Sequence, residues 1–196
     1  MLASITPLGE RGRGSRWAVT VSAFAVGAAG AGLVLGAGLG ELGALVVPDR
    51  VGAAARLAVL AVVLLGALVL DTVPPAVPGP RRQVDPRWLD WYRGWVYGLG
   101  YGAQLGVGLG TVVTSAATYA AAAAALLSGD PRAGAIVIGG YGAVRGLTPL
   151  AAAHVRSGRQ LVALHVRLER SRGAIRWAAR GSLAAGLVLA LVGGMS

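Results

Sequence analysis

Between Trp17 and Val47 the chain runs for 31 residues with one ionisable side chain, Glu41. A helix needs about 20 apolar residues to cross the hydrocarbon core of a bilayer. Further apolar runs follow at 51–70, 95–127, 133–153 and 177–194. Backbone groups in lipid must pair within their own segment, and no alternating barrel pattern is present, so these runs predict helices. The fold class expected is all-α: a polytopic membrane helix bundle of about five transmembrane helices. The third run, 33 residues long, would make a helix of about 50 Å. Its Trp- and Tyr-rich start suits the interface, and its lipid-core part is placed at 102–127.

Composition agrees. Hydrophobic residues make up 55% of the chain and charged residues 13%, against the roughly 25% charge of soluble domains. Mean hydropathy is +0.65. The absence of cysteine removes disulfides, thiol catalysis and thiolate metal sites. All 18 basic residues are arginine, giving a net charge of +10. They alternate between rich and poor segments. Arg11, Arg13 and Arg16 precede the first run, and the next loop, Pro48–Arg50, has Arg50 against Asp49. Arg81, Arg82, Arg87 and Arg93 precede the third run, and the loop after it has Arg132 with Asp130. Arg156, Arg159, Arg167, Arg170, Arg172 and Arg176 precede the fifth, and Gly193–Ser196 has none. The positive-inside rule then predicts N-in/C-out. It also turns the charge into a topology signal, in place of a nucleic-acid one. The first run is too long for the roughly 7–15 apolar residues of a signal peptide, so the first helix is expected to be retained.

The organisation expected is therefore a cytoplasmic segment 1–16, transmembrane helices 1–2 over 17–70, a proline-rich linker with an aromatic interfacial helix over 71–94, and helices 3–5 over 95–196. A basic amphipathic loop at 154–176 lies between the last two helices. Asp85-Pro86 reads as a helix start. Trp88, Trp91, Tyr92 and Trp95 then suit the headgroup level. The basic segments predict contact with anionic lipid. The localisation expected is the cell inner (cytoplasmic) membrane, multi-pass.

Glycine recurs every four residues as Gly32, Gly36 and Gly40 in the first run and as Gly98, Gly102, Gly106 and Gly110 in the third, continued by Thr114 and Thr118. Small residues at this step let helices approach closely in lipid. They also offer a surface to other membrane subunits or a second copy. A four-step row drifts about 40° per step, so one partner can meet three or four of them.

Ionisable residues at membrane depth are functional hypotheses. Glu41 and Arg56 both fall roughly 8–9 Å below the outer face by helical rise, which makes them a candidate structural ion pair. Arg145 lies deeper, within Tyr141–Pro149, where Pro149 frees a backbone carbonyl. Gln104, Thr111, Thr114 and Ser115 lie at comparable depth in the third run. With Arg145, Tyr141 and Pro149 they are the candidates for a solute site suited to an anion. Snorkelling of Arg145 to the inner face is the competing reading. His154 and His165 lack a third ligand at metal spacing, so no metal or cofactor is expected. Enzyme motifs are missing: there is no H-E-x-x-H, G-x-S-x-G or P-loop, and Ser115 has no His at membrane depth, so an enzyme is not expected.

The stretches GLGYGAQLGVGLGTVVTSAATY (98–119) and YGAVRGLTPL (141–150) resemble the second half of the CcdA/DsbD-type transmembrane family, within the LysE-like superfamily. Tyr141, Gly146 and Pro149 match its Tyr…Gly-x-x-Pro pattern, while Thr114-Ser115 stand where Pro-Cys is expected. The resemblance implies a scaffold of glycine-kinked helices around a polar site. A cysteine-dependent redox relay is excluded, because this chain has no cysteine. Superfamily relatives that are not redox carriers export small solutes or metal ions. Transport, or binding of a small polar or anionic solute, is therefore the leading expectation. A non-transporting subunit or assembly partner in envelope or cofactor biogenesis is the other.

Overall fold

The computed structural model describes residues 5–48, 50–73, 87–108 and 115–195. They form eight α-helices: α1 (Pro7–Gly12), α2 (Trp17–Val46), α3 (Ala53–Thr72), α4 (Trp88–Trp91), α5 (Gly94–Val107), α6 (Ala117–Ser128), α7 (Pro131–Gly146) and α8 (Gly158–Met195). A 3-10 turn, Thr148–Ala152, follows α7. No strand occurs among the described residues, so the fold is an all-α bundle. The apolar side chains are largely on the outside. Val34, Val62, Ile136 and Leu189 are each more than 70% exposed. Among the described residues, α2, α3, α7 with its 3-10 turn, and α8 are long and apolar enough to cross a membrane. An exterior of this kind fits lipid, not water, and marks a membrane protein.

α2 stands at the centre. One four-step row on it serves two partners in succession. Thr20, Phe24 and Ala28 face Gly98, Gly102 and Gly106 of α5, and Gly32, Gly36 and Gly40 face Ile138, Gly134 and Asp130–Pro131 at the start of α7. A methyl group on Gly102 or Gly106 would overlap the carbonyl of Phe24 or Ala28, and one on Gly36 the carbonyl of Gly134. The row changes partner at Ala28, where a methyl on Gly142 of α7 would also strike the same carbonyl. This is the azimuthal drift of a four-step row resolved into two contacts. Gly110 lies outside the described residues.

The register of these contacts sets directions: α5 runs parallel to α2, and α7 antiparallel. α3 is antiparallel to α8, with Leu57 beside Gly193 and Leu64 beside Gly186. It is also antiparallel to α6, since Arg56 reaches Ser128 and Asp71 reaches Ser115. The second core gathers Ala61, Leu64 and Ala67 of α3 with Ala116, Ala120, Leu183 and Ala190.

Several expected boundaries change. The third run is not one helix over 102–127: α5 stops at Val107, and Gly108 takes a left-handed φ of 70° that no β-carbon tolerates well. The interfacial helix expected over 86–94 is a single turn, α4, that ends where Tyr92 becomes extended. Residues 158–176, expected as loop, are the first half of α8. No proline falls in that half and Gly173 keeps a helical backbone, so the amphipathic stretch continues into the apolar one. The fourth run matches α7 plus the 3-10 turn. It ends early because Pro149 cannot donate the next helical hydrogen bond. Asp130 caps α7, accepting from Arg132 N at 2.7 Å, with Pro131 first in the helix. Asp49 and Asp85-Pro86 lie outside the described residues.

Candidate functional site

The helical path of α5 breaks at Gly108, which sits beside Arg145 and close to the level of Ala28, which helical rise places roughly 17 Å along α2 from Trp17. Arg145 lies in the last turn of α7, where a cation offsets the exposed carbonyls. Its Nη1 donates to the Tyr141 hydroxyl at 3.4 Å, and its guanidinium carbon lies 5.4 Å from the centre of the Tyr141 ring. The spacing of four residues puts the two side chains on one helical face. The Tyr141 hydroxyl is 2.7 Å from Thr118 Oγ1, near the start of α6. A β-carbon on Gly108 would lie 2.9 Å from Thr118 Cγ2 and 3.3 Å from Arg145 Nη1. The end of α5 and the first turn of α6 therefore both approach the Arg145–Tyr141 pair. Among the described residues no carboxylate lies within ion-pair distance of Arg145.

A second cluster holds the far side of the break. Asp71, at the C-terminal end of α3, accepts from Ser115 Oγ at 2.6 Å and from Ala116 N at 2.7 Å, capping the start of α6. Arg180 of α8 donates to the Asp71 carbonyl at 2.6 Å through Nη2. An acid at a helix start and an arginine at a helix end both offset the helix dipole. This staple ties α3, α6 and α8 together.

The sequence candidates therefore divide. Arg145 and Tyr141 are joined. Pro149 is buried one turn beyond α7. Ser115 is committed to Asp71 and makes no contact with Arg145. Gln104 is half-buried on α5, and no hydrogen bond joins it to the group. Thr111 and Thr114 lie outside the described residues. The expected Glu41–Arg56 pair does not form. Glu41 is exposed, one residue and hence about 100° around α2 from Gly40, which faces α7. Arg56 instead donates to the carbonyls of Val51 at 3.1 Å and Ser128 at 3.3 Å, closing the end of α6.

Sequence reasoning missed a third cluster at the start of α2. The Glu10 side chain is fully buried. It accepts from Arg13 Nη2 at 2.6 Å, Thr20 Oγ1 at 2.7 Å and the Tyr97 hydroxyl at 2.6 Å. Burial works against the charge of Arg13, but its hydrogen bonds to Glu10 and Tyr97 hold its pKa above the ordinary value. The Thr6 hydroxyl caps α1 by accepting from Gly9 N at 3.0 Å. An aromatic layer surrounds this end. Trp88 stacks on Tyr101 at 5.9 Å, and Trp17 donates to the Ile5 carbonyl at 3.4 Å. The missed signal was an acid inside an otherwise basic segment. Asp71, which borders the second apolar run, was missed too, and Thr118 was read only as part of the small-residue row. Among the described residues no group of histidine, aspartate and glutamate is placed to hold a metal.

No family model, curated protein or solved structure matches this chain.

Proposed function

We propose that the chain is a five-pass membrane protein with a transporter-like scaffold, binding or moving a small polar or anionic solute at the break beside Arg145. The observation that carries the reading is the interrupted third pass. Non-helical backbone at membrane depth is tolerated where protein buries it or it lines a cavity, and transporters place their sites at such discontinuous helices. Here the interruption is furnished with Arg145, Tyr141 and Thr118, and Arg145, which meets no carboxylate among the described residues, favours an anion. The resemblance to the CcdA/DsbD-type family supports the same scaffold by analogy. No catalytic chemistry is assigned.

The arginine distribution supports N-in/C-out insertion in an inner (cytoplasmic) membrane. Leu8 N bonds the Val155 carbonyl at 3.1 Å, so the first and third arginine-rich segments meet at one end of the bundle, facing anionic lipid.

The test is uptake of inorganic phosphate and of short carboxylates into proteoliposomes. Flux above empty liposomes is expected. Arg145→Gln should abolish it while the melting temperature of the detergent-solubilised protein stays within a few degrees. Equal flux in the variant overturns the reading, as does the absence of both flux and Arg145-dependent binding for every anion tried. A C-terminal reporter active only in the cytoplasm overturns the orientation.

A second reading, a non-transporting subunit, is favoured by α8, whose Val162, Val166, Ile175 and Trp177 are exposed along its basic half. Copurification of a stoichiometric membrane partner in mild detergent would support it.

A further inference from the structure

A cavity of about 460 Å3 opens between α3, α6 and α8. Its walls are Leu60 and Leu64 of α3, Ala120 and Ala124 of α6, and Leu183 and Ala190 of α8, while Leu189, 73% exposed, stands at its rim. α8 packs along α3 and meets α6 only near the cluster of Ala116, Ala120 and Leu183. The run of alanines on α6 leaves the space that larger side chains would fill. Among the lining residues only Tyr141 and Ser182 carry polar side chains. Tyr141 is also the residue that Arg145 and Thr118 hold by its hydroxyl.

The apolar cavity and the cationic site therefore share a wall. A fully hydrated ion gains nothing from leucine and alanine walls, since its polar groups would lose water without new partners. An apolar chain filling the same space would be stabilised in proportion to its buried area. Pockets of this volume bind ligands that are mostly apolar, with a few placed polar groups fixing orientation. We propose that the solute of the Arg145 site is a single-chain anionic amphiphile, its hydrocarbon chain in the cavity between α6 and α8 and its head at Tyr141 and Arg145. This rests on the functional reading above and names its substrate class. A ligand of this shape enters from the bilayer, past Leu189, and needs no aqueous channel.

The probe is hexadecyl phosphate carrying a mid-chain diazirine, with the matching diazirine hexadecanol as the uncharged control, added to the full chain in phosphatidylcholine nanodiscs. Irradiation and peptide mapping should place label on 117–124 and 183–190, with the phosphate labelling about tenfold more than the alcohol, the worth of one charge-assisted hydrogen bond. Arg145→Gln should bring the phosphate down to the alcohol level. Ala120→Leu should remove both labels, and Gly186→Leu, which narrows the cavity from the facing helix, should do the same if the first variant fails to fold. Equal labelling by phosphate and alcohol overturns the proposal, as does label spread over the outward faces of α2 and α3. Loss of label when phosphatidylglycerol is included assigns the groove to bulk lipid and also overturns it. If short anions are moved in proteoliposomes but the alkyl phosphate is not captured, the amphiphile falls and the anion site stands. If neither is handled, both fall.

Discussion

The α2–α5–α7 half and the α3–α6–α8 half are both built from small and aliphatic residues, yet they pack in opposite ways. In the first, glycines bring backbone against backbone, and a methyl group has no room at Gly36, Gly102 or Gly106. In the second, contacts run through leucine side chains. A β-carbon on Gly186 would sit 3.5 Å from Leu64 Cδ2, an ordinary separation. Hydrophobic force between helices is absent in lipid, so closeness of approach decides which helices are held firmly. The rigid half fixes Arg145 and Tyr141. The looser half leaves the cavity, and the start of α6, capped by Asp71, is the seam between them.

The comparison can be broken most directly in the tight half, where three helices meet. Gly106→Ala should lower unfolding stability by about 2 kcal/mol, because overpacking against a carbonyl has no flexible side chain to absorb it. A denaturant titration in mixed micelles that shows no loss would mean the two halves are equally yielding. A smaller effect is expected at the seam. Asp71→Asn keeps an acceptor but loses the charge that caps α6, and should cost roughly 1–2 kcal/mol by the same titration. The smallest effect, with the opposite sign, is expected in the loose half. Gly186→Ala should stabilise by about 0.5 kcal/mol, since the helix loses a flexible residue and the methyl has space. A destabilisation as large as that of Gly106→Ala would erase the distinction.

What the sequence made legible follows period and spacing. Hydropathy located the runs that became α2, α3, α7 and the second half of α8. The four-step glycines marked the rows that bring α5 and α7 onto α2. The i, i+4 relation of Tyr141 and Arg145 needs only one helix, so it too was readable. Relations between helices were not. Depth arithmetic put Glu41 and Arg56 at one height but carried no azimuth, and they point to different neighbours. Ser115 and Thr118, three residues apart, go to Asp71 and Tyr141 respectively, a division set by the register of α6 against α3 and α7. The break itself was hidden among repeated glycines. Only the neighbours of Gly108, Thr118 and Arg145, show why that glycine leaves the helix.

The convergence of Gly106, Gly142 and Ala28 has an electrical consequence. Where three backbones meet more closely than a methyl group allows, no file of water molecules fits between them, so that corner of the bundle is an insulator. Protons and hydrated ions find no passage between α2, α5 and α7 at that level.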